Sequence, residues 1–145
     1  MKQKEILNNL KRIDLMDFKV QAVEDNETQI LDLVREQMRE GEDGGGGPIR
    51  PEYESELYSD FKTTLHTYMA DYGTPDLYLT GDFHKSMVLG IIGEEVIIDA
   101  TDEKTTDLIQ RYGENILELN NESIEKQKPQ TTKNFVKLFR NATKL

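Results

Sequence analysis

The stretch Ser86-Met87-Val88-Leu89-Gly90-Ile91-Ile92-Gly93-Glu94-Glu95-Val96-Ile97-Ile98-Asp99-Ala100 decides the fold class. Two apolar, largely β-branched runs flank Gly93-Glu94, a pair suited to a tight turn, so the segment predicts a β-hairpin. A strand covered on one face alternates apolar with polar residues, whereas these runs are apolar at consecutive positions. Both strands are therefore expected to be covered on two faces over part of their length, the second cover coming from another subunit. Just upstream, Asp76-Leu77-Tyr78-Leu79-Thr80 reads as a further short strand, ended by Gly81-Asp82.

On either side of this region the period becomes helical. Ile6, Leu7, Leu10 and Ile13 share one stripe, with Asp14 or Asp17 as a break or cap. A stronger helix is expected from about Asp17 to Arg39, through Val20, Val23, Ile30, Leu33, Val34 and Met38. One long helix through both segments fits the pattern as well. Gly41 is a natural stop, because glycine accepts the left-handed conformation that ends helices. From Glu54 to Tyr72, Leu57, Tyr58, Phe61, Leu65, Tyr68 and Met69 recur at helical spacing and predict a core-facing aromatic stripe with its hydroxyls at the rim.

Beyond the hairpin, Thr101 or Asp102 should cap a helix that ends at Tyr112-Gly113. Asn120-Asn121 should cap a last helix from Glu122, which Pro129 is expected to interrupt or kink. The order of elements predicts one α+β domain spanning 1–145. It has a long N-terminal helix, a second helix, a small antiparallel sheet with a β-hairpin, and C-terminal helices. Within it, residues 41–53, with Gly44-Gly45-Gly46-Gly47-Pro48, are expected to form a mobile Gly/Pro-rich loop, and the 122–145 helix is placed to extend to a neighbouring subunit.

Composition narrows the function. Of 145 residues 36% are hydrophobic and 32% charged, which allows a modest core and a wet surface. With no cysteine and only His66 and His84, neither a disulfide framework nor a thiolate or histidine metal centre is expected, and no cofactor. No signal peptide or membrane span is read in the chain, which is expected in the cytoplasm. The net charge of −10 argues against gripping a nucleic-acid backbone, which needs clustered Lys and Arg. Charge is also uneven, with acids dominating from Glu24 to Glu56 and Lys126, Lys128, Lys133, Lys137, Arg140 and Lys144 at the other end. Glu36 and Glu40 against Lys133, Lys137 and Arg140 are thus candidate assembly surfaces, a basic tail docking on a neighbour's acidic face. Two solvated helix faces would give the same pattern.

Chemistry has few candidates. The glycine tract is no P-loop, since Gly47 precedes Pro48 and follows a helix. Thr80-Gly81-Asp82-Phe83-His84-Lys85-Ser86 holds an acid, a base and a hydroxyl, but nothing marks an oxyanion donor for Ser86. A turn with Gly81 at positive φ and Phe83 in the core explains the same residues. No carboxylate is expected in an apolar surround, and no catalytic residue is assigned.

The run Gly41–Tyr53, then Tyr58, Lys62 and Asp76-Leu77-Tyr78-Leu79-Thr80-Gly81-Asp82-Phe83, resembles small proteins of tailed-phage and prophage structural gene clusters. So do Ile98-Asp99-Ala100, Arg111-Tyr112-Gly113 and Ile116-Leu117-Glu118-Leu119-Asn120. The motif residues are Leu79, Thr80, Gly81, Phe83, Tyr112 and Gly113. The chain is similar in this to head–tail joining, neck and tail-completion proteins. That resemblance implies a homo-oligomeric ring in a virion, assembled in the host cytoplasm, with DNA passing through the lumen without specific binding. It implies neck adaptor, portal or tail tube as partners. A competing reading is an acidic nucleic-acid mimic that binds a host protein; a hydrolase using Asp82, His84 and Ser86 is the third.

Overall fold

The computed structural model describes residues 2–12 and 14–143, and of Lys2, Ile6, Leu10 and Arg12 only the backbone. The predicted stripe of Ile6, Leu10 and Ile13, and the basic residue Lys144, therefore lie outside the described side chains. The elements are helices α1 (Lys2–Arg12), α2 (Leu15–Glu24), α3 (Glu27–Arg39), α4 (Glu56–Thr63) and α5 (Asp82–Lys85). Strands β1 (Met87–Ile92) and β2 (Glu95–Ala100) follow, then α6 (Thr105–Tyr112), a 3-10 turn (Glu114–Leu117) and α7 (Asn121–Thr143). The fold is α+β.

The hairpin forms as read. β1 and β2 pair antiparallel from Met87↔Ala100 to Ile92↔Glu95, around Gly93 at φ +61°. Met87, Leu89, Ile98 and Ala100 face a core built by Leu31, Val34 and Met38 of α3 with Ile49, Phe83, Ile116 and Leu117. The other face carries Val88, Ile92 and Ile97, which are 44%, 70% and 38% exposed. The subunit thus covers one face of its sheet and leaves an apolar one open.

α7 lies along α2 and α3 and reaches α1. It runs helical through Pro129, where an interruption or kink was expected. Proline removes one backbone donor, and the helices beneath hold the rest of the rod in place. The helix expected from Asp17 to Arg39 is in fact two, parted at Asp25-Asn26. Asn26 is buried there, and its amide donates to Gln29 Oε1 at 2.8 Å and to Thr131 Oγ1 of α7 at 3.1 Å. That bond across the bundle is made possible by the break, and periodicity has no means of showing it.

Three further expectations are corrected. Asp76–Thr80 is not a strand, so the sheet has two strands among the described residues. The helix expected to reach Tyr72 ends at Thr63. Thr63 and Thr64 bond their hydroxyls back to the carbonyls of Asp60 and Phe61, competing with continued helix. The aromatic stripe is not core throughout: Leu57 is 82% exposed, and Phe61, Met69 and Tyr72 are also exposed.

The glycine tract is tied at both ends. Gly41, at φ +81°, ends α3 in a Schellman motif, with Glu42 N–H donating to Gln37 O and Gly41 N–H to Met38 O. Glu42 bridges to Pro48, Gly44 N–H donates to Asn115 O at 2.8 Å, and Ile49 is fully buried. A Cβ on Gly44 would sit 2.5 Å from Glu118 Cβ and 3.0 Å from Glu118 O. Gly47 has open space around it. Gly44→Ala should therefore cost about 1–3 kcal/mol by overpacking, whereas Gly47→Ala should stabilise by up to about 1 kcal/mol by restricting the unfolded chain. Paired denaturant curves measure both.

Candidate functional site: a buried ion pair and an open sheet face

Lys62 of α4 and Asp76 in the following loop are the most unusual pair in the described structure. Their side chains are 2% and 1% exposed, with Nζ 2.7 Å from Oδ1. Nζ also donates to Tyr78 O, and its charge lies 5.4 Å from the Tyr68 ring centroid. Asp76 Oδ1 accepts from Tyr78 N–H at 3.1 Å, which turns the chain as an Asx-turn does. Side chains have taken the backbone groups a ladder would need, which is why no strand forms here. Leu77 is held at φ +54° between them. Asp76 Oδ2 is buried without a partner, and burial pushes the nearby Tyr53 hydroxyl up, with the Asp76 charge adding to it.

His84 completes this centre. It is 3% exposed, and its Nε2 lies 3.0 Å from Asp76 O, an acceptor, so Nε2 carries the proton. Burial holds its pKa below the ordinary 6.5, and Arg39 and Arg35 lower it further, against the raising effects of the Asp76 backbone bond and carboxylate. A histidine kept neutral in the folded state leaves stability complete above the unfolded pKa. Stability is then lost as pH falls below about 6.5 and the unfolded chain alone takes up the proton. Unfolding free energy should thus decline from about pH 7 to 5.5, and the decline should flatten in His84→Gln.

The hydrolase constellation does not assemble. Asp82 is exposed, His84 points to Asp76 O, and Ser86 Oγ donates to Phe83 O at 2.9 Å and accepts from Asp102 N–H at 3.0 Å. Among the described residues no group of three or more His, Asp or Glu could hold a metal ion. Among the described residues one carboxylate, Asp76, is buried, and its Oδ1 is held by the Lys62 ammonium, not by an apolar surround.

Five of the six motif residues come together. Leu79, Thr80, Gly81, Phe83 and Tyr112 line a recess of about 230 Å3 that Lys62 also borders. Gly113, at φ +93°, stops α6 beside it. The Leu-Asn segment has a separate role. Asn120 caps α7 through Ser123 N–H, while the buried Gln37 accepts from Asn120 N–H at 2.8 Å and donates to Glu118 O at 2.7 Å. Sequence reading missed Gln37, for which no periodicity gave a signal.

The candidate assembly residues divide. Glu36 and Glu40 border a shallow cleft with Glu42, Glu122 and Lys126. Partial burial raises the Glu40 pKa, then Glu36 and Glu42, against Lys126. This acidic group thus already has a basic neighbour in its own chain. Lys133, Lys137 and Arg140 are exposed on α7 and make no ion pair among the described residues. Arg140 borders an apolar patch of Phe135, Val136 and Phe139. Acids instead rim the open sheet face: Glu95 and Asp99 are exposed there, in register with Ile92 and Val88. The β2 side also borders a groove of about 740 Å3, whose far wall includes Val23, Ile30 and Ile124.

No family model matches the chain, and neither does any curated protein or solved structure. Among the described residues no helix is long and apolar enough to cross a membrane.

Proposed function

We propose that this chain is a non-enzymatic structural subunit that assembles with copies of itself. The observation that carries this is the apolar outer face of the two-stranded sheet, with Val88, Ile92 and Ile97 exposed. An isolated hairpin is marginal in water, and a third layer on its open face adds burial. The occupant we assign is the α7 patch of a second copy, Phe135, Val136 and Phe139, whose Lys133, Lys137 and Arg140 complement Glu95 and Asp99. Two different patches meeting head to tail form a heterologous contact, which closes into a ring when the rotation allows.

The finer reading rests on the sequence resemblance. It is a head–tail joining, neck or tail-completion component of a tailed-phage virion, whose ring passes DNA through an acidic lumen that repels phosphate. The partners are then neighbouring virion proteins such as portal, neck adaptor or tail tube. Light scattering with negative-stain imaging tests the assembly: rings or concentration-dependent oligomers are expected, and a strict monomer at high concentration overturns it. Mixing with portal and tail-tube proteins tests the finer reading, which fails if neither is bound.

A further inference from the structure

Arg35, Arg39, Tyr78, Gly81, His84 and Lys85 line another recess, open to solvent and of about 290 Å3. Three of these six carry a positive charge, in a chain whose net charge is −10. Their only carboxylate partner among the described residues is the exposed Asp32, 3.0 Å from Arg35 Nη1. Arg39 and Lys85 form no ion pair there.

Both guanidiniums are positioned by means other than carboxylates alone. Arg35 donates from Nε to His84 O at 2.7 Å. Arg39 lies over the Tyr78 ring at 5.1 Å, with a long 3.4 Å bond from Nη2 to Thr67 O. Gly81 lets the Tyr78 ring lie close, since a Cβ there would meet that ring at 3.1 Å. Spare N–H donors remain on Arg35 and Arg39, and the Lys85 ammonium has no partner among the described residues. Two positioned guanidiniums and a free ammonium, with one exposed carboxylate as their sole anionic partner among the described residues, match the needs of an oxyanion.

We propose that this recess binds one small oxyanion group, phosphate or carboxylate, between Arg35, Arg39 and Lys85. Its volume is at the lower end of ligand pockets, which suits a single such group and not a nucleotide. The inference does not depend on self-assembly and uses none of the residues assigned to it.

The test is an NMR titration of the intact chain with inorganic phosphate and, separately, acetate, at constant ionic strength against chloride. Saturable shifts should centre on Arg35, Arg39, Gly81 and Lys85. Lys85→Gln should weaken binding roughly tenfold or more, and Arg39→Gln should do so at least as strongly. A stronger response to phosphate assigns a phosphoryl group; a stronger response to acetate assigns a carboxylate. Failure of both probes to saturate overturns the proposal, as does unchanged affinity in Lys85→Gln. That variant decides the matter even if Arg39→Gln does not fold, because the Lys85 side chain is exposed and unpaired.

Discussion

Lys62→Met should lower the unfolding free energy by roughly 3–5 kcal/mol, the cost of leaving one member of a buried ion pair behind. The methionine fills the aliphatic path of the lysine, so the loss reports charge and hydrogen bonding more than volume. Asp76 Oδ1 would lose its ammonium at 2.7 Å, and Tyr78 O would lose a donor, both well inside the protein. The readout is a fall in denaturant midpoint at constant slope. Lys62→Met with Asp76→Leu should recover only part of the loss, because Asp76 also accepts from Tyr78 N–H. A loss below about 1 kcal/mol in Lys62→Met would show that the pair is worth no more than a surface one.

That pair also marks where sequence reading stops. The hairpin was legible because β-branched runs around Gly93-Glu94 leave few other folds. Gly41, Gly113 and Asn120 were legible because helix ends demand particular backbone conformations or side-chain acceptors. These are local rules. Asp76–Thr80 obeys a local rule too, reading as a strand, but Lys62, sixteen residues before Tyr78, takes the carbonyl of Tyr78. A buried lysine is rare enough that spacing alone would assign Lys62 to the surface. The break at Asn26 fails in the same way, since its partner Thr131 lies on the far side of the chain. Of the candidate surfaces, the exposed cations of α7 were legible from composition, while the neighbours that folding gives the acids were not. Glu36 and Glu40 belong to the acid-rich stretch Glu24–Glu56, yet folding brings Lys126 beside them. Glu95 and Asp99 become a rim only once the hairpin register is known.

Ile92→Asp should leave the subunit folded and weaken self-association at least about thirtyfold, the range of an interface hot spot. Ile92 is 70% exposed, so its replacement leaves no cavity, and the new carboxylate opposite Glu95 should cost subunit stability only about 1 kcal/mol. In the assembly it would place a carboxylate under the neighbour's Phe135, Val136 and Phe139, where it must be desolvated. The Lys133→Glu, Lys137→Glu variant should also weaken association, but less, because rim charges remain solvated, and its effect should fade at high salt. Restoration then separates this geometry from general stickiness. Adding Glu95→Lys and Asp99→Lys to the α7 reversal should recover association, since the two rims would again be opposite in sign. If the four-site reversal associates no better than the two-site one, α7 is not the occupant of the sheet face. If Ile92→Asp associates like the parent, the open face is not the interface at all.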